Sequence, residues 1–277
     1  MIITNPLAEV FGFPADSNSP LALHHRQHKL CPYHNRVPHC TKDKAQDPLG
    51  VCSIYHRNQA VITCPVRFRQ DWSIATDAAQ YFFGTHPAWT VLTEVRMQDA
   101  EGRSAGNVDM VLVAYDRAGH ILDFGSVEVQ AVYISGNVRQ PFEQYMQDPD
   151  AWNQGARERP MPHPPKPDYL SSSRKRLLPQ LLAKGSILRA WGKKQVIAVQ
   201  KQFFETLPPL PQVSAQESEI AWHLYELEQH QEPFQLKLTD VVYTQYWAAI
   251  NQISTPSPGP LSVFLGTLQR KLDTQQE

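Results

Sequence analysis

The stretch NVDMVLVAYDRAGHILDFGSVEVQAVYI, residues 107–134, decides how the chain reads. NVDMVLVAYD and ILDFGSVEVQAVYI are rich in β-branched and apolar residues, and DRAGH between them carries turn residues, so two strands joined by a tight turn are expected. Upstream, VLTEVRM (91–97) reads as a further strand, joined through the glycine-containing EGRSAGN (101–107) into an antiparallel meander. Successive side chains on a strand point to opposite faces. Asp109 therefore shares a face with Val111 and Val113, while Glu128 and Gln130 share one with Ser126 and Val132. Desolvating an unpaired carboxylate costs several kcal/mol, so acids embedded in apolar strands need compensation. A shared divalent cation supplies it: Asp109 and Glu128, with a strand carbonyl and waters, make an oxygen site suited to Mg²⁺. Such an ion can activate a water and polarise a phosphate ester. Gln130 stands where this arrangement usually has a lysine; its amide can position water or phosphate but cannot act as a base or supply positive charge. Glu94 on the preceding strand could add a carboxylate, the alternative being an exposed strand acid.

With 277 residues, 42% of them hydrophobic and 19% charged, the chain reads as soluble and globular, either one large domain or a domain with a small module. No apolar run approaches the ~20 residues of a membrane helix. The N-terminus lacks a basic start followed by an apolar core, so cytoplasmic residence is the expectation. The formal net charge of -1 hides a pattern. Residues 22–70 hold eight Lys/Arg against two acids, and residues 166–201 hold nine against Asp168 alone. The intervening 71–165 hold 13 acids and six bases. Two basic blocks around an acidic centre suit a grip on a polyanion with a cation site between them; ordinary solvated faces are the alternative.

All four cysteines, Cys31, Cys40, Cys52 and Cys64, fall within one short region poor in core material. Such clustering without a secretory signal points to a metal rather than disulfides, and four thiolates suit a tetrahedral zinc or iron ion. The spacing C-x8-C-x11-C-x11-C lacks paired CxxC knuckles, and His28, His34 and His39 lie near enough to replace a cysteine. A four-cysteine site, a mixed Cys/His site and unrelated buried cysteines are all compatible with the spacing.

Two blocks together resemble the NotI restriction endonuclease family, within the PD-(D/E)xK nuclease superfamily. One is the cysteine region, with CPYH, HCTK, LGVCSIYH and ITCPVRF; the other is NVDMVLVAYD followed by GSVEVQAVYISGNVRQPFEQYM. The resemblance covers roughly residues 20–205 and is weaker in the C-terminal seventy. It implies an α/β, restriction-endonuclease-like mixed sheet flanked by helices, with a small four-cysteine module over residues 1–70 and the catalytic domain over 71–277. It implies an Asp…Glu-x-Gln active site, which maps onto Asp109, Glu128 and Gln130, with Mg²⁺ on Asp109 and Glu128. It implies a structural metal, iron or zinc, on Cys31, Cys40, Cys52 and Cys64. The expected activity is site-specific hydrolysis of double-stranded DNA by a metal-activated water, in a homodimer accompanied in the host by a DNA methyltransferase. A DNA-binding protein with a nuclease-like, non-cleaving core is the alternative.

ISGNVRQPFEQYMQDPDAW (134–152) would leave the active site toward DNA, with Arg139 a candidate contact. ARERPMPHPPKPDYLSSSRKR (156–176) reads as a Pro-rich basic crossing loop, and LLPQLLAKGSILRAW (177–191) as a helix. KKQVIAVQKQFFETL (193–207) reads as a buried strand with a basic entrance. Arg174, Lys175, Arg176, Lys193 and Lys194 are candidate phosphate contacts. SAQESEIAWHLYELEQH (214–230) reads as an acidic amphipathic helix, and PLSVFLGTLQRKL (260–272) as a short helix that can pack on a partner chain.

Overall fold

Every residue of QVIAVQ, Gln195–Gln200, is buried, as expected of a strand covered on both faces. It lies inside a six-stranded sheet in the computed structural model, which describes all residues except 1–4, 35–37, 45, 86–87, 159–160, 162, 230 and 277. Arg36 of the first basic block and three positions of the Pro-rich stretch thus lie outside the described residues. In chain order the strands are β1 (Leu7–Val10), β2 (Phe13–Pro14), β3 (Asp43–Lys44), β4 (Asp47–Pro48), β5 (Val51–His56), β6 (Gln59–Ile62), β7 (Trp89–Gln98), β8 (Ser104–Tyr115), β9 (Ile121–Gln130), β10 (Tyr133–Ser135), β11 (Lys166–Asp168), β12 (Gln195–Gln200), β13 (Ile220–Glu228) and β14 (Gln235–Thr244). The large sheet has the order β14–β13–β12–β9–β8–β7. β12 runs parallel to both β9 and β13, whereas β7–β8–β9 form the expected antiparallel meander and β14 pairs antiparallel with β13. The fold is mixed α/β, with helices on both faces of the sheet.

Alternate residues of β12 feed two cores. Val196 and Ala198 join Met110, Leu112 and Val127 under the helix Ser73–Phe83. Gly125 is needed on this face, since a Cβ there would sit 2.6 Å from the Phe82 ring. Ile197 and Val199 join Trp222 and Leu224 on the other face, with Leu177, Leu181, Tyr246 and Ile250 from the overlying helices. A second sheet, β2–β1–β5–β6, is tied to the large one: Ile62 N donates to Gln200 Oε1 (2.7 Å), Gln200 Nε2 to Ala60 O (2.6 Å) and Val132 N to Ile62 O (2.9 Å). Leu7, Val10, Val51 and Ile54 share the core that holds Ile197.

Two expectations are corrected. Residues 169–176 are not a loop: Tyr169–Ser172 is helical, its N-terminus capped by Asp168, whose side chain accepts from Ser171 N at 2.9 Å, and Ser173–Leu177 is a π turn. A second π turn, Leu181–Gly185, follows, and the run continues to Ala190. These wider turns flank Pro179, which has no N–H to donate to the helical ladder. The second correction is β13, expected to be helical. It pairs with strands on both sides and is buried on both faces, so its apolar residues at 220–222, 224, 225 and 227 show no alternation. The C-terminal segment is a helix as expected, Leu261–Gln276, with Leu261, Leu265, Leu268 and Leu272 exposed. Among the described residues, no helix is long and apolar enough to cross a membrane.

β13 also buries His223, 2% exposed, its ring beside Tyr81 and Tyr225 and its Nδ1 without a partner. Burial lowers its pKa from 6.5 to about 4. The unfolded chain therefore takes up this proton before the folded one does. The stability His223 contributes is present above pH 6.5 and is lost as pH falls toward 4. Replacing it by His223→Phe is expected to flatten the acid limb of urea-denaturation stability by roughly 3 kcal/mol between pH 7 and pH 4. Parallel pH profiles for the two proteins would contradict this.

Candidate active site

The meander brings the sequence-predicted acids together. The last paired residues on this part of β8 and β9 are Met110 and Val127, and one further step in that register sets Asp109 opposite Glu128. On the other side, Thr93↔Met110 and Val95↔Val108 flank Glu94 and Asp109. Glu94, Asp109 and Glu128 thus stand in a row across three strands. Glu94 has a positive φ of 56°, a region that non-glycine residues seldom occupy, and pairs with Arg69 at 3.4 Å. Its charge adds to the forces that raise the Asp109 pKa, of which burial is the largest.

Asp109 Oδ2 accepts from Val129 N at 2.8 Å, fixing the carboxylate against β9. Glu128 is 3% exposed. Its Oε2 accepts from Lys184 Nζ at 2.6 Å, and its Oε1 is buried with no hydrogen-bond partner. Burial, then the neighbouring Asp109 charge, push its carboxyl from 4.5 up to about 8. A buried carboxylate pair that raises its own proton affinity is a place where added positive charge is favourable. Two acids with an uncommitted oxygen fit a hard divalent cation, although among the described residues no three His, Cys, Asp or Glu side chains are already arranged as a ligand set. Gln130 lines the adjoining open cleft with Asp109, and its Nε2 donates to Ala131 O at 2.5 Å.

Lys184, bonded to Glu128, is not anticipated by the sequence reading. It comes from the π turn Leu181–Gly185 and also donates to Asn107 O at 2.7 Å. A signal was present: Leu177, Leu181, Lys184 and Leu188 follow helical spacing and are all buried. A lysine on that apolar stripe needs a partner.

The candidate DNA contacts separate into two groups. Arg139 and Arg176 line the cleft beside Asp109 and Gln130. Arg139 is engaged with Asp43 (2.6 Å) and Asp47 (2.7 Å), and the Arg176 guanidinium lies 4.7 Å from the centre of the Tyr133 ring. Arg174 and Lys175 are exposed on the first π turn. Lys193 and Lys194 precede the start of β12, whereas the cleft opens beyond the end of β9, which runs parallel to it. Lys193 pairs with Asp123 (2.6 Å), and Lys194 donates to Ala215 O (3.3 Å). Lys42, not anticipated as a site residue, also lines the cleft and donates to Val51 O at 2.6 Å.

Cys31, Cys40, Cys52 and Cys64 are free thiols around one small space, which none of His28, His34 and His39 lines. Backbone pairing gathers them: Cys31 N donates to Pro38 O (2.6 Å), Cys40 N to Lys29 O (2.9 Å) and Thr63 N to Cys52 O (2.9 Å). Burial pushes the Cys31 thiol up to about 11 and raises Cys40 and Cys52 as well, with neighbouring cysteines adding to each. The donor chemistry suits a soft ion, which would favour the thiolates; the four side chains converge without forming a ligand set in the described residues.

No curated protein matches the chain. The family model described as restriction endonuclease NotI matches residues 18–238, which takes in the cysteines, the meander, Lys184 and most of the large sheet. The chain belongs to the NotI restriction endonuclease family, and is a type II site-specific deoxyribonuclease.

Proposed function

We propose that this endonuclease hydrolyses both strands of its DNA site in a Mg²⁺-dependent reaction, through a PD-(D/E)xK-type centre in which Gln130 takes the lysine position. The observation that carries the reading is the buried Asp109–Glu128 pair with one carboxylate oxygen uncommitted. Asp109 and Glu128 would hold the cation, which when bound supplies an activated water and charge stabilisation at phosphorus. Asp109 is held by the Val129 amide, so its oxygens keep a fixed direction toward the cleft. The Gln130 amide, on the cleft wall, would orient water or a phosphate oxygen. Glu94, exposed and paired with Arg69, would add a further carboxylate. Arg139 and Arg176 would meet phosphates at the cleft, Arg139 exchanging its contacts with Asp43 and Asp47 for DNA. Arg174 and Lys175 would extend this basic edge; Lys193 and Lys194 would act only if DNA wraps to the far end of the sheet.

The four cysteines are proposed to hold a structural iron or zinc ion that staples residues 1–70 into a DNA-contacting module beside the catalytic domain of 71–277. A homodimer would place one active site on each strand of a palindromic target. The exposed Leu261, Leu265, Leu268 and Leu272, at alternating four- and three-residue steps, support a helix seam with a second copy. A cytoplasmic setting with a companion DNA methyltransferase completes this reading.

The test is incubation of the purified protein with large mixed-sequence DNA in Mg²⁺ or EDTA. Discrete bands in Mg²⁺ alone, from a preparation carrying about one iron or zinc per chain, are the expected result. Specific DNA retention without cleavage in Mg²⁺ would overturn the mechanism, and a metal-free folded protein would overturn the cysteine site.

A further inference from the structure

We propose that Lys184 is a positioning residue of this active site, replacing from a helix the positive charge that Gln130 does not bring. The inference rests on the Asp109–Glu128 reading above. Lys184 is 4% exposed, and its ammonium donates to Glu128 Oε2 (2.6 Å) and Asn107 O (2.7 Å). It thereby commits one oxygen of Glu128 and leaves Oε1, which has no partner, as the oxygen available to a cation. The bond also fixes the rotation of the Glu128 carboxylate beside Asp109.

The local helix is shaped around this placement. The π turn Leu181–Gly185 carries Lys184 on its buried side. Two of the turn's carbonyls are taken by side chains: Tyr246 Oη donates to Leu181 O (2.9 Å) and Gln195 Nε2 to Gly185 O (3.1 Å). A Cβ on Gly185 would lie 2.9 Å from the Tyr246 ring, so the helix approaches as closely as only glycine allows. Packing alone does not require a lysine here. An apolar residue continuing the Leu177, Leu181, Leu188 stripe would avoid the cost of desolvating an ammonium.

The charge count gives Lys184 a task. Two carboxylates and one divalent cation sum to zero, so Asp109, Glu128 and the cation bring no net positive charge to the reacting phosphodiester. The Lys184 ammonium makes the buried centre net positive where the substrate carries its negative charge, as the usual lysine would. Because it reaches the reaction through Glu128, its loss should act on the cation and the rate rather than on DNA binding.

The experiment compares Lys184→Met, Lys184→Ala and Lys184→Arg with the wild-type chain. Single-turnover cleavage is followed against Mg²⁺ concentration, specific DNA retention is measured in Ca²⁺, and ethylammonium or neutral propanol is added to Lys184→Ala. Lys184→Met is expected to lose roughly 100-fold in rate at saturating Mg²⁺ and to need more Mg²⁺ for half its own maximum, with DNA retention near wild type. Lys184→Arg, which keeps the charge, should retain most of the activity, and ethylammonium but not propanol should partly restore Lys184→Ala. Folded Lys184→Met cleaving at the wild-type rate, or equal restoration by propanol, would overturn the proposal. If Lys184→Met does not fold, Lys184→Ala with the two additives decides alone. Should Asp109→Asn be inactive while every Lys184 variant cuts normally, the active-site reading stands and this inference falls; should Asp109→Asn also cut normally, the reading itself falls.

Discussion

Asp109→Asn is expected to lower single-turnover cleavage in Mg²⁺ by roughly 10³-fold, the loss that accompanies about 4 kcal/mol of transition-state stabilisation. The substitution is chosen for what it leaves in place. Asparagine keeps an oxygen that can accept from Val129 N, so the link between β8 and β9 survives while the charge is removed. Asp109→Ala would strip that acceptor and mix a catalytic loss with a structural one. Specific DNA retention in Ca²⁺ should persist, because the cleft walls and their basic residues are untouched. Stability should move the other way. The Asp109 charge is, after burial, what pushes Glu128 up to about 8, so removing it relieves repulsion between two buried acids. Without divalent metal, Asp109→Asn should be at least as stable to urea as the wild type. A nuclease-free preparation of the variant that still cuts at the wild-type rate would remove Asp109, and with it the whole site, from the mechanism.

How far the sequence could be read depended on what each element buries. The meander was legible because β7 alternates exposed and half-buried positions along a half-covered edge, and because Gly102 and Gly119 mark its turns with positive φ. The Asp109–Glu128 pairing followed from that reading, since register and face are fixed once both strands are in place. β13 was missed for the opposite reason. Its neighbours on both sides and both faces remove the alternation, and the acids of SAQESE upstream imitate the start of a helix. Lys184 was missed for yet another reason: it lies 56 positions from Glu128, and only the fold makes them neighbours. The clue was the lysine itself, at a position of the helix where every fourth or third residue is a buried leucine.

The convergence of the cysteines, by contrast, is supported by an ion pair that no motif announces. Arg67 and Glu9 both have fully buried side chains. The Arg67 Nε donates to Glu9 at 2.9 Å, Nη1 to Gln70 Oε1 at 2.8 Å and Nη2 to Phe234 O at 2.6 Å, and the guanidinium lies 4.4 Å from the centre of the Tyr33 ring. Ser53 Oγ donates at 2.7 Å to Glu9 Oε2, which Arg67 Nε also reaches at 3.1 Å. One side chain thus joins β1, the segment after Cys64, the residue preceding β14 and the tyrosine beside the thiols. Arg67→Ala is therefore expected to cost roughly 3–5 kcal/mol in urea denaturation, because it leaves Glu9 buried without its counter-charge, with the Ser53 hydroxyl as its remaining donor. Against a total stability of about 5–15 kcal/mol, that is enough to leave a substantial unfolded fraction on mild warming. The double substitution Glu9→Leu with Arg67→Met removes both charges and keeps apolar volume, so it should recover much of the loss. This recovery separates an uncompensated charge from simple loss of packing. If Arg67→Ala and the double variant are equally unstable, the arginine matters for the contacts it makes to Gln70, Phe234 and Tyr33, and the charge pair is incidental. If neither is destabilised, residues 1–70 are held to the catalytic sheet by other means, of which the Gln200 bonds to Ala60 and Ile62 are the next to test.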